Sequence, residues 1–87
     1  MERNELLAQL KLVIADYLTD DNKQKLDTIT EQTNFVTDLQ IDSVDLVDIV
    51  INTETKFAIQ IENETIATMV TVGKCLDVIE SKLKEKV

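Results

Sequence analysis

One glycine, Gly73, and no proline interrupt this chain. Almost nothing in it breaks a helix, and little in it could make the tight turns that a sheet of short strands requires. Its apolar side chains are aliphatic, with Tyr17, Phe35 and Phe57 as the only aromatics. The fold class that follows is all-α. A chain of 87 residues makes one domain, spanning residues 1–87, and a domain of that size buries only ~60% of the surface its unfolded form exposes. One modest core is expected, in a chain read as monomeric.

Spacing places the helices. Leu6, Leu7, Leu10, Val13, Ile14, Tyr17 and Leu18 keep to one face of a helix, predicting a first helix over about residues 2–18. Thr19 to Ile41 opens on Thr-Asp-Asp-Asn, sustains no period and is too polar in its first half for another full helix. It is expected to be a long loop pinned by Leu26, Ile29, Phe35, Val36 and Leu39. Asp42 can cap a second helix that runs to about Phe57, its carboxylate accepting the amide of Val44 or Asp45, with Asp45 adding negative charge in the first turn. Two stripes run along that helix. Leu46, Ile49, Val50, Thr53 and Phe57 form a broad one that reads as core; Val44, Val47 and Ile51 form a narrower one flanked by Asp45 and Asp48. Ala58 to Glu62 is a short connection into a brief helix, Glu64 to about Thr68, capped by Asn63. Thr71 caps a last helix with Val72, Cys75, Leu76, Val78, Ile79 and Leu83 at helical spacing, and its lysine-rich end suits the negative pole of the helix dipole. Gly73 falls in its first turn, where lost helix propensity matters least.

Charge narrows the function. The formal charge is −8, and residues 26–73 account for all of it, with nine acids against Lys56 alone. Such a surface disfavours nucleic acid and anionic membranes and favours partners with basic patches. No apolar run approaches the ~20 residues of a membrane span, and Met1-Glu2-Arg3-Asn4-Glu5 lacks a signal-peptide pattern, so a cytoplasmic location is expected. Cys75 stands alone and reads as a buried thiol. Histidine is absent, which removes the commonest general base and metal ligand. One glycine cannot build a phosphate loop, and Asp20-Asp21-Asn22 lacks the glycine and distal glutamate of a calcium loop. Asn63-Glu64-Thr65 matches a glycosylation acceptor only for a secreted chain. No self-sufficient active site is present, and an enzyme is not expected.

What remains is Ser43, at the start of the second helix behind Asp42. Phe35-Val36-Thr37-Asp38-Leu39, Asp42-Ser43-Val44, Glu54-Thr55-Lys56-Phe57 followed by Ile59 and Ile61, and Thr71-Val72 form an ordered series. That series resembles the acyl carrier protein family: its Phe-x-x-Asp-Leu approach, its Asp-Ser-Leu attachment motif, the Glu-x-x-Phe end of its second helix and the start of its last. The match covers about residues 6–83. Gln40 stands where the family very often has glycine, and Val44 where leucine is commoner.

The resemblance implies an acyl-carrier-like four-helix bundle with three longer helices, one short helix and a long loop between the first and second. It also implies that a holo-synthase, a phosphopantetheinyl transferase, moves 4′-phosphopantetheine from coenzyme A onto Ser43. Acyl groups would then ride on the arm as thioesters, delivered to synthases and transferases of fatty acid, polyketide or related lipid biosynthesis. The alternatives are a D-alanyl or peptidyl carrier, and an unmodified acidic interaction module in which Ser43 merely caps a helix. Val44, Val47 and Ile51 with Asp45, Asp48 and Glu54 are the expected docking face for basic partners. An aliphatic interior could also part to shelter an acyl chain.

Overall fold

The computed structural model describes residues 2–21 and 23–86. Four helices follow in order: α1 (Arg3–Ala15), α2 (Ser43–Phe57), α3 (Asn63–Ile66) and α4 (Val72–Lys86). A 3-10 turn, Lys23–Thr28, lies between α1 and α2, inside the segment expected to be loop throughout. Among the described residues there is no strand, only an isolated antiparallel bridge between Asn34 and Thr71. No described helix is long and apolar enough to cross a membrane.

α1 is shorter than its apolar pattern. The amides of Tyr17 and Leu18 bond back to Ile14 and Ala15, three residues earlier, so the chain tightens out of the α-helix before the pattern ends. Leu18 is nevertheless buried. α2 obeys its spacing closely, and its buried residues are Leu46, Ile49, Val50, Thr53 and Phe57, the broad stripe and nothing else. Thr53 is the polar member, and its hydroxyl is satisfied by donating to the Ile49 carbonyl at 2.8 Å. α3 begins one residue early, at Asn63, with Glu62 preceding it and no side-chain cap. Asn63 is therefore the first helical residue and not the cap. In α4, Val72, Cys75, Leu76 and Ile79 are buried, with Val78 and Leu83 packed against them, and Thr71 Oγ1 accepts the Lys74 amide at 3.2 Å.

The core joins Leu6, Leu10 and Ile14 of α1, Ile49 and Val50 of α2, and Val72, Leu76 and Ile79 of α4. Phe35 and Met69, from the connections, close it and are fully buried. Each such side chain stabilises the fold by about 1.5–3 kcal/mol when buried, which works against the entropy of ordering helices this short.

The long connection is held in two ways that bear on the site. Its 31–35 stretch lies alongside residues 70–73: Gly73 N donates to Glu31 O at 2.8 Å, Val72 N to Thr33 O at 2.9 Å and Phe35 N to Val70 O at 3.0 Å. A turn then follows. Asn34 Oδ1 accepts the amides of Val36 and Thr37 at 2.9 and 3.0 Å, while Asp38 Oδ2 accepts the Asn34 amide at 2.8 Å. This Asx turn sends Phe35 and Leu39 inward and Val36 outward, so Val36 is exposed and does not pin the loop.

Candidate carrier site at the start of α2

Ser43 is the first residue of α2 and is exposed. Three local features put it there. Ile41 and Leu39, buried on either side of Gln40, anchor the chain as it enters the helix. Gln40 itself takes the left-handed conformation, φ 57°, which a residue other than glycine adopts at a cost of about 1–2 kcal/mol. The bend before the helix is thus made by a residue that carries a side chain. Finally, Asp42 is extended and its Oδ1 accepts the Asp45 amide at 2.8 Å, the second of the two cap partners the sequence allowed.

The cap uses one free amide of the first turn and leaves others. Leu46 N bonds to Asp42 O at 2.9 Å. Among the described residues nothing accepts the amides of Ser43 and Val44. Two N–H groups at the positive end of a 15-residue helix therefore lie beside the exposed Ser43 hydroxyl, an arrangement that suits a phosphodiester on that oxygen. The residues present thus fit a phosphopantetheine group. Among the described residues no basic or acidic side chain is bonded to the serine.

The narrow stripe of α2 is exposed as a strip. Val44 is 70% exposed, Ile51 50% and Val47 41%, at spacings that place them on one side of the helix. Asp48 falls between Val44 and Ile51 and is exposed; Asp45 is half-buried. Glu54 differs from the other acids. It is half-buried and its Oε2 accepts the Ile61 amide at 2.9 Å, so it fastens the chain leaving α2 as well as bordering the strip.

The motif residues acquire physical roles. Asp38 closes the Asn34 turn, Glu54 holds the Ile59–Ile61 connection, Phe57 is core, and Thr71 both caps α4 and pairs with Asn34. Cys75 is buried, and burial pushes its thiol up to about 12, which leaves it inert near neutrality. A surface hollow lined by Ala58, Ile59, Gln60, Glu62, Lys82 and Glu85 sits at the other end of α2. Its Lys82 and Glu62 pair at 2.7 Å, with Lys82 holding the Glu62 carboxyl below its ordinary range. Sequence reasoning passed over Arg3 and gave Gly73 no packing role. Arg3 binds three carboxylates, and Gly73 is packed against Glu31; neither shows in local spacing.

No protein-family model matches the chain. Whole-chain relatives do. The acyl carrier protein of Coprothermobacter proteolyticus is 34% identical over 86 residues, covering 99% of this chain and 100% of the relative. That of Lactobacillus acidophilus is 36% identical over 81 residues, 93% of this chain and 96% of the relative. The crystal structure of the acyl carrier protein from Thermotoga maritima superposes with a TM-score of 0.84 at 31% identity, over 100% of this chain and 96% of that one. With the helix order, the capped serine and full-length likeness in agreement, the chain belongs to the acyl carrier protein family.

Proposed function

We propose that this chain carries acyl groups on a 4′-phosphopantetheine arm attached to Ser43 and presents them to enzymes of fatty acid, polyketide or related lipid biosynthesis. The observation that carries this reading is the geometry at Ser43: an exposed hydroxyl on the first residue of α2, behind an Asp42 cap that leaves two amides unbonded. When bound, the arm supplies a terminal thiol that holds acyl groups as thioesters. The chain's own residues anchor it. In the loading step the Ser43 oxygen bonds to the phosphorus that carries the pantetheine, the pyrophosphate bond of coenzyme A breaks, and adenosine bisphosphate leaves. The serine proton passes to the transferase, which fits a chain with no base of its own at this position.

Partner docking follows from the strip on α2. Val44, Val47 and Ile51 give an apolar contact next to the attachment point, and Asp45, Asp48 and Glu54 give it an acidic border suited to basic surfaces on a phosphopantetheinyl transferase, synthases and acyl transferases. Opposite charge raises the encounter rate without requiring tight binding. A tethered cargo also meets each docked partner at an effective concentration set by the arm's length.

Intact mass spectrometry after incubation with coenzyme A and a promiscuous phosphopantetheinyl transferase tests the assignment. The chain is expected to gain the mass of one phosphopantetheine and Ser43→Ala to gain none. An unmodified parent chain, or a modified alanine variant, would end this reading. Charge reversal at Asp48 is expected to slow loading, and an unchanged rate would place docking elsewhere.

A further inference from the structure

Arg3, in the first turn of α1, reaches a part of the chain far from it in sequence. Its Nη2 donates to Glu31 Oε1 at 2.7 Å, to Asp77 Oδ1 at 2.8 Å and to Gly73 O at 3.2 Å, and its Nη1 donates to Glu80. Three carboxylates from the long loop and from α4 therefore share one guanidinium, which is what allows like charges to gather there. The guanidinium holds the Glu31 carboxyl below its ordinary range.

The same point of the loop is fixed by backbone. Gly73 N donates to Glu31 O at 2.8 Å, and a Cβ at Gly73 would stand only 2.8 Å from that oxygen. From Glu31 the bonded line runs on through Thr33 with Val72, Asn34 with Thr71, and Phe35 with Val70. Phe35 O then accepts the Ile41 amide at 3.0 Å. Ile41 is the residue before the Asp42 cap. Thr28, Thr30, Glu31 and Gln32 are themselves exposed, so this stretch has little apolar burial of its own and depends on such ties.

Building on the Ser43 assignment above, we infer that Arg3 is a positioning residue for Ser43. It locks the loop at Glu31 onto the first turn of α4, and the paired 31–35 and 70–73 segments pass that placement to the approach of α2. Without the guanidinium, Glu31, Asp77 and Glu80 face one another as uncompensated charges and the loop lifts from α4.

Hydrogen exchange on the full chain, alongside the rate of loading by the transferase, tests this. In Arg3→Gln the amides of Phe35, Ile41, Val72 and Gly73 are expected to exchange about fivefold faster, those in the middle of α2 to keep their wild-type rates, and loading to slow several-fold. Arg3→Lys should recover part of both changes. Gly73→Ala, which breaks the same junction from the other side, should reproduce the local pattern, while Lys82→Gln, which breaks the ion pair at the far end of α2, should alter neither readout. Exchange that rises evenly across the chain, or does not rise, overturns the inference; so does a loosened loop with unchanged loading. A wild-type chain that cannot be loaded sinks the carrier reading and the positioning role with it. A loaded wild type with an unaltered Arg3→Gln sinks the positioning role alone.

Discussion

The two faces of α2 are built from similar side chains and do opposite things. Leu46, Ile49, Val50 and Phe57 are buried; Val44, Val47 and Ile51 are between 41% and 70% exposed on the same 15-residue helix. Side-chain chemistry therefore does not separate them, and the neighbours do. The inner face packs against α1 and belongs to the common core, whereas the outer face stays exposed beside Asp45 and Asp48 of its own helix. Apolar residues left in solvent beside Ser43 keep a surface that a partner can cover, and the cost to the isolated chain is kept small because the strip is narrow.

The contrast can be broken most strongly from inside. Ile49→Ala removes a fully buried side chain and is expected to lower stability by about 2–5 kcal/mol, read as the midpoint shift in urea unfolding. A loss under about 1 kcal/mol would mean the inner face packs loosely.

pH reads the same interior without altering α2. The folded chain holds the Cys75 proton up to about 12, against an ordinary value of 9.0. Stability is thus untouched by this group below about pH 9 and falls as pH rises through that window, by about 1.4 kcal/mol per unit. The difference between the parent chain and Cys75→Ala, followed by chemical denaturation across that range, isolates the effect; parallel curves would place the thiol in contact with water.

The C-terminal end of the helix gives a smaller change in the opposite direction. Ala58 ends α2 in the left-handed conformation, φ 55°, with its amide bonding back to Glu54 and Thr55. Ala58→Gly is expected to stabilise the chain by about 1 kcal/mol, measured as a raised Tm. The outer face should respond least: Ile51→Ala is expected to change stability by no more than about 0.5 kcal/mol, while slowing loading of Ser43. Equal losses for Ile49→Ala and Ile51→Ala would erase the distinction between the faces.

Much of this was legible in the residues alone. The broad stripe of α2, the Asp42 cap, the Thr71 cap and the burial of Cys75 all follow from rules that operate within a turn or two of helix, and each appears in the structure. The misreadings have a common source. Val36 is apolar yet exposed because Asn34 and Asp38 wind a turn around it, α1 stops short of its apolar pattern, and Asn63 opens α3 where a cap was expected. In each case the local pattern was compatible with two backbone paths, and the polar side chains or the packing chose between them.

By itself the amino-acid order determined that this chain is helical, where its principal helices lie, and that Ser43 stands capped at the head of one of them, since spacing and capping act between near neighbours. Only the tertiary structure decided what Arg3 and Gly73 do. Their contacts join residues 28 to 77 positions apart, and no local rule foretells them: a side chain reads as plain surface charge, or a glycine as a weak spot in a helix, until packing brings the distant carboxylates and the Glu31 carbonyl against it.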